Sequence, residues 1–244
     1  MGRHLLLADV HANLQALEAV LDDAGRKSGF DSVWLLGDIV GYGPQPDECV
    51  ERLRQESLVA VAGNHDLGAV GRADLTRFNA DAAEACVWSG TRLSESSRRY
   101  ILQLPLSHRA ESFLLVHGSP RDPMWEYVTS PSQATALMLF CNATHCLVGH
   151  THCQSAFAMR ESNESAPESV SMASRLTLRG RLIINPGAVG QPRDGDPRAA
   201  YAILDCDADA VSFHRVQYDV RATTDLMLRM SLPVALARRL HAGY

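Results

Sequence analysis

The chain has 244 residues, 46% of them hydrophobic, so it can bury a core in one large domain or two small ones and is not a disordered chain. A formal net charge of −5 excludes the broad basic surface that grips long nucleic acids. Lys27 is the only lysine, so no Walker A loop exists and a P-loop NTPase is excluded.

Arg3–Ala8 reads as a first strand. The apolar stretch is too short for a signal h-region, Leu6 stands where a myristoylation signal needs Ser or Thr, and no apolar run approaches the roughly 20 residues of a membrane span. A cytoplasmic protein with no membrane partner is expected. Asn13 caps a helix whose Leu14, Leu17, Val20 and Leu21 share one face. Ser32–Leu36 is a buried strand, Asp47 opens a second helix, and Leu58–Ala62 is a third strand ending at Gly63-Asn64-His65-Asp66. Such alternation marks βαβ units and a mainly parallel sheet.

The spacing from Thr76 to Gln103 predicts helix, and Phe113–Val116 is a strand stopping at His117-Gly118-Ser119-Pro120. Ser132–Phe140 follows as helix and His145–Val148 as strand, ending in Gly149-His150-Thr151-His152. Apolar runs at Gln154–Met159, Arg175–Leu178, Leu182–Ile184, Ala199–Leu204 and Val211–Tyr218 predict a second, largely antiparallel sheet. The Ser- and Glu-rich segment Glu161–Ser174 reads as a mobile hairpin loop, Pro186–Pro197 as turns, and the chain from Arg221 onward as helix. The six cysteines contain no C-x-x-C pair and read as buried thiols; Cys141, Cys146 and Cys153 flank three histidines, but their spacing matches no usual structural zinc pattern.

Sites in open α/β sheets assemble at the carboxyl ends of strands. There the sequence places Asp9-Val10-His11, Gly37-Asp38, Gly63-Asn64-His65-Asp66, His117-Gly118 and Gly149-His150-Thr151-His152. On an extended backbone residues i and i+2 face one side, so Asp9 with His11, and His150 with His152, form two clamps. Singly, each fragment has an ordinary explanation: Asp9 as a helix cap, Gly37-Asp38 and Asn64 as turn formers, His117 as a hydrogen-bonded loop residue. Together, five of the ten histidines fall in strand-end loops beside Asp, Asn or Gly, which independent accidents explain poorly.

In this order the motifs resemble the calcineurin-like metallophosphoesterase superfamily, closest to its small single-domain prokaryotic phosphodiesterases; an Asn185-Pro186-Gly187 turn, also frequent in that branch, extends the match. The resemblance implies an α/β fold, a four-layer α/β/β/α sandwich with two facing mixed β-sheets, as a single domain over residues 1–244. It places Asp9, His11, Asp38 and His152 on one divalent metal ion and Asp38, Asn64, His117 and His150 on a second, with Asp38 bridging. Carboxylate, imidazole and amide ligands without thiolate suit Mn, Fe, Zn, Co or Ni, with manganese the first expectation. Two such cations about 3.5–4 Å apart share a hydroxide and clamp a phosphoryl group for in-line attack. By resemblance His65 lies outside the metal shell and protonates or stabilises the departing oxygen, with Asp66 as its orienting partner or, alternatively, as a helix cap.

The expected activity is hydrolysis of phosphodiester or nucleotide-type phosphate bonds in a small phosphorylated substrate. Arg121 and Arg193 stand in loops suited to meeting phosphate oxygens, or are solvated surface arginines. Trp125, Tyr127 and Tyr42 are candidates to stack on a base or aryl group, or to pack beneath the loops. Two alternatives are a Ser/Thr phosphoprotein phosphatase and a catalytically silent binding or assembly protein on the same fold. The stretch after Asp38 reads Ile39-Val40-Gly41-Tyr42-Gly43, without the arginine usual in phosphoprotein phosphatases, and Asp66 replaces their glutamate; both departures disfavour the first alternative. The intact ligand set and His65 disfavour the second. Ala188 stands where a serine often follows Asn-Pro-Gly, so contact of that turn with substrate is open.

Overall fold

Strands covered on both faces are apolar without interruption, and the runs Leu5-Leu6-Leu7 and Val33-Trp34-Leu35 are of this kind. The computed structural model describes residues 2–159, 168–169 and 175–244. In chain order the elements are β1 (Arg3–Leu7), α1 (Leu14–Lys27), β2 (Ser32–Leu35), α2 (Pro46–Leu53), β3 (Leu58–Ala60), α3 (Asn64–Ala69), α4 (Ala80–Arg92), α5 (Glu95–Gln103), β4 (Ser107–Ala110), β5 (Phe113–Val116), α6 (Pro131–Met138), β6 (His145–Leu147), β7 (Gln154–Met159), β8 (Glu168–Ser169), β9 (Arg175–Thr177), β10 (Arg181–Pro186), β11 (Ala199–Asp205), β12 (Ala210–Val216), α7 (Val220–Arg229) and α8 (Val234–Ala242).

Two six-stranded sheets result, ordered β3-β2-β1-β11-β12-β9 and β4-β5-β6-β10-β7-β8. Both are mixed. In the first, β1, β2 and β3 run parallel while β11, β12 and β9 add antiparallel; in the second, β5, β6 and β10 are parallel and the flanking strands antiparallel. The sheets face each other across Leu6, Trp34 and Leu204 from one side and Leu115, Leu147 and Ile184 from the other. Alternation along β1 turns Leu5 and Leu7 outward onto α1 and α2. Leu137 and Met138 of α6 cover the second sheet, giving helix, sheet, sheet, helix. Among the described residues no helix is long and apolar enough to cross a membrane.

The expectation of a parallel sheet followed by a separate antiparallel one is corrected. β11 pairs with β1 in full register from Arg3↔Asp205 to Leu6↔Ala202, so the C-terminal strands complete the N-terminal sheet. Strand periodicity reports burial, whereas this partner choice depends on residues some 200 positions apart and leaves no local trace. The helical stretch from Thr76 is three pieces: a 3₁₀ turn at Leu75–Arg77, then α4 and α5, parted where the Ser94 hydroxyl caps α5 by accepting the Ser97 N–H at 3.2 Å. The C-terminal helix is likewise two, α8 restarting after Pro233. Strand β4, polar and mostly exposed, has no apolar signal in sequence. Most of Glu161–Ser174 lies outside the described residues; Glu168–Ser169 pairs with Phe157 and Ala158 of β7.

Candidate metal centre

The carboxyl ends of β1, β2, β3, β5 and β6 bring Asp9, His11, Asp38, Asn64, His117, His150 and His152 together, each buried. Three imidazoles are fixed from behind by main-chain carbonyls. Nδ1 of His11 donates to Val40 O (3.1 Å), that of His117 to Leu36 O (2.8 Å) and that of His152 to Gln191 O (2.5 Å). A carbonyl only accepts, so a proton sits on each Nδ1; burial keeps His11 and His152 neutral with Nε2 lone pairs turned inward, whereas His117, held protonated beside Asp38, exposes its Nε2 lone pair only after losing a proton. His11 Nε2 then meets His152 Nε2 at 3.1 Å, and His117 Nε2 meets His150 Nδ1 at 3.0 Å and Asn64 Oδ1 at 3.0 Å. The facing Nε2 lone pairs of His11 and His152 repel at 3.1 Å unless a cation lies between them. Asp38 sits between the groups: Oδ1 accepts the His65 main-chain N–H at 2.9 Å, while buried Oδ2 has no hydrogen-bond partner among the described residues and lies 3.3 Å from His117 Nε2 and 3.6 Å from His11 Nε2. The donor set fits divalent cations on physical grounds.

The backbone achieves this differently from the expected extended clamps. Asp9, His11, Asp38, His150 and His152 have φ of 55°, 48°, 56°, 65° and 60°, all left-handed. Asp and His tolerate this region better than most side chains, and such backbone persists only where the surroundings over-determine it. His150 and His152 accordingly diverge. His152 joins Asp9 and His11, whereas His150 joins Asp38 and His117. The turn at Asn185 supports their loop, since Asn185 Nδ2 donates to Gly149 O at 2.7 Å and to Thr151 Oγ1 at 3.0 Å. Ala188 is fully buried and lies outside the cavity lining.

Asp66 makes no hydrogen bond to His65 among the described residues. Its Oδ2 accepts the N–H of Asp38 (2.8 Å) and of Gly63 (3.0 Å), and Oδ1 those of Ile39 (2.8 Å) and Val40 (3.2 Å). One carboxylate therefore caps α3 and holds the loop that presents Asp38. Gly63 is required by the same approach: a Cβ there would fall 2.0 Å from Asp38 Oδ1 and 2.5 Å from Asp38 N. His65 is placed by aromatic packing, with ring centroids 4.4 Å from Tyr42, 4.8 Å from Phe78 and 4.9 Å from His11. It stands close to the ligand cluster, a ring nitrogen lying within 4.8 Å of ligand atoms of His11 and Asp38, and its buried Nδ1 has no partner.

Residues 3–209 match the calcineurin-like phosphoesterase superfamily domain. The chain belongs to that superfamily. It is a hydrolase acting on phosphate esters, in a metal-dependent family. The crystal structure of a metallophosphoesterase from Sphaerobacter thermophilus is 44% identical, superposes with a TM-score of 0.87 and is covered to 99%, with all of this chain matched. An uncharacterised protein of Methanocaldococcus jannaschii is 33% identical over 243 residues, covering 98% of this chain and 97% of its own. A symmetrical bis(5'-nucleosyl)-tetraphosphatase of Haemophilus ducreyi is 28% identical over 135 residues, which span 53% of this chain and 49% of that one.

Electrostatics in this phosphoesterase follow from burial. Burial pushes the Asp9 carboxyl up to about 7 and the His65 imidazole down to about 4, and it holds His11, His150 and His152 well below the usual imidazole range. At His117 burial is outweighed by the adjacent Asp38 carboxylate, which raises it to about 9; the reciprocal attraction, joined by His65, holds Asp38 low. A cavity of about 240 Å³ opens over Asp38, Asn64, His65 and His150. Arg193 reaches its wall, donating to Tyr42 Oη at 3.2 Å and Gln191 Oε1 at 2.9 Å, and among the described residues no carboxylate pairs with it. The structure does not bring Arg121 there. Its guanidinium is half exposed and ion-paired with Glu126, a neighbour five residues on that satisfies it locally. Of the aromatic candidates, Tyr42 packs among His11 and His65, Trp125 lines the cavity edge-on to Phe78 at 5.2 Å, and exposed Tyr127 stacks on His150 at 4.2 Å. Sequence reasoning missed Arg77, which lines the same cavity with its guanidinium 4.1 Å over the Trp125 ring; nothing in its 3₁₀ turn marks it. Cys141 and Cys146 are buried in the packing between α6 and the second sheet, and among the described residues no cysteine joins a cluster of three metal-ligating side chains.

Proposed function

We propose that the protein hydrolyses phosphodiester or nucleotide-type substrates at two divalent cations, one held by Asp9, His11, Asp38 and His152 and the other by Asp38, Asn64, His117 and His150. The observation that carries this reading is the convergence of two buried sets of possible ligands, His11 with His152 and His117 with His150, on either side of Asp38, whose Oδ2 has no hydrogen-bond partner among the described residues. When bound, such ions withdraw charge from phosphoryl oxygens and lower the pKa of water to about 7. The remaining work falls to the chain. Arg193, free of any carboxylate among the described residues, meets a phosphate oxygen, and burial of the site strengthens that attraction. His65, kept neutral by burial, stabilises the departing oxygen by donating a ring N–H to it, its ring held by Tyr42 and Phe78. Nucleotide-type substrates are favoured by the resemblance to the Haemophilus tetraphosphatase, which covers about half of each chain. Manganese is the first cation to try, because the ligands are oxygen and nitrogen alone.

The test is hydrolysis of bis-p-nitrophenyl phosphate after loading with Mn²⁺, then Co²⁺, Ni²⁺, Zn²⁺ or Fe²⁺, with His65→Asn alongside. Turnover by the wild type and a loss of about 10²–10⁴-fold in the variant are expected. Equal rates remove the assigned role of His65; no turnover with any cation removes the phosphodiesterase reading.

A further inference from the structure

A second cavity, of about 380 Å³, adjoins the metal centre and shares Tyr127 and Arg193 with it. Its other walls are Val128, Thr129, Cys153, Ser155 and Phe157 with Thr151, so among the described residues Arg193 is the one charged residue of its lining. The topology explains it. Along β7, Ala156 turns into the core between the sheets, so Ser155 and Phe157 face the helix side, under the segment that leads from Tyr127 into α6. Tyr127 stacks on His150 at 4.2 Å and 14°, with 46% of its surface exposed, and so forms the partition between the two spaces.

Resting on the phosphoesterase reading, we propose that this side cavity receives the organic arm of the substrate, and that the arm is an uncharged, planar aromatic group such as an aryl ring or a nucleobase. The cavity over the metal ligands, at about 240 Å³, lies below the usual 300–1,000 Å³ of a small-molecule site, whereas the adjoining 380 Å³ falls within it. Arg193 lines both, so a phosphoryl group held by it at the ligand cluster lies at the junction of the two spaces. A further phosphate is a poor occupant, because beyond Arg193 the lining supplies no cation among the described residues. The Ser155 hydroxyl remains to meet the polar edge of a ring, and Thr129 Oγ1, whose proton goes to Gln133 Oε1 at 3.3 Å, can accept from one.

Calorimetric titration of the Mn²⁺-loaded chain with methylphosphonate and phenylphosphonate isolates the arm, since the two share one head group. Wild type should bind the phenyl compound about tenfold more tightly. Ser155→Phe, which fills the cavity from β7, should bring that ratio below about threefold. Thr129→Trp, at the exposed rim, makes the same test if the first variant fails to fold. A wild-type ratio near one, or a ratio unmoved in a folded variant, overturns the assignment while diester hydrolysis still upholds the phosphoesterase reading. Failure to bind either phosphonate, together with absent hydrolysis, overturns both.

Discussion

Replacing Asp66 by Asn separates two roles that the sequence left open. Each Asp66 oxygen accepts two main-chain N–H groups, Oδ2 from Asp38 and Gly63 and Oδ1 from Ile39 and Val40. Asparagine keeps one oxygen and turns an amide N–H₂ toward the other two donors, so two buried N–H groups lose their acceptor at about 1–3 kcal/mol each. Part of this is offset, because burial and the neighbouring Asp38 charge already push the Asp66 carboxyl up to about 7, and the substitution removes that repulsion. A net loss of about 3 kcal/mol lowers the melting midpoint of a chain this size by about 6–12 °C. The displaced Asp38 should weaken cation binding about 10–100-fold, as substitutions behind metal ligands do. Thermal unfolding of the metal-free protein and calorimetric titration with Mn²⁺ measure the two effects. Were Asp66 to act through His65 instead, Asp66→Asn would depress kcat alone, and a variant with wild-type midpoint and wild-type cation affinity would show that the Asp38 loop does not depend on this carboxylate.

Three more outcomes follow from the same geometry. Gly63→Ala forces a methyl group within 2.0 Å of Asp38 Oδ1, so the folded variant should bind no cation in a direct titration; retained affinity would show that the Asp38 loop can yield. Arg193→Ala should raise KM for phosphodiesters about tenfold by removing a charge-assisted contact. Arg121→Ala, which breaks only an exposed pair with Glu126, should leave KM within about twofold, and the reverse pattern would reassign the phosphate contact. Cation affinity should also rise with pH. His117, raised to about 9, must lose a proton before it can ligate, so the apparent Kd for Mn²⁺ should worsen about tenfold for each pH unit lost from 8 to 7. Below about 7 the Asp9 carboxyl takes up a second proton and the slope should steepen. A Kd independent of pH would exclude both residues from the ligand set.

Much of this protein is written locally. Runs such as Leu5-Leu6-Leu7 and Phe113–Val116 declare buried strands because burial on both faces admits only apolar side chains, and Asn13 declares its helix because a free N–H of the first turn needs its oxygen. The superfamily was legible too, since Asp9, Asp38, His117, His150 and His152 stand in strand-end loops, and Asn64 and His65 in the first turn of α3 just beyond β3, whatever the sheets do beyond them. Where local chemistry has two solutions, only the folded chain chose. Asp66 was equally able to orient His65 or cap α3, and the N–H groups of residues 38–40 claimed it. Arg121 and Arg193 look alike in sequence, but Glu126 lies five residues from the first, while no carboxylate among the described residues reaches the second. The docking of β11 on β1, the left-handed turns that send His150 and His152 to different clusters, and the carbonyls that set the histidine tautomers all join distant parts of the chain. Main-chain carbonyls and backbone angles are common to every residue type, so their assignment at this site is made by tertiary contact and not by side-chain identity.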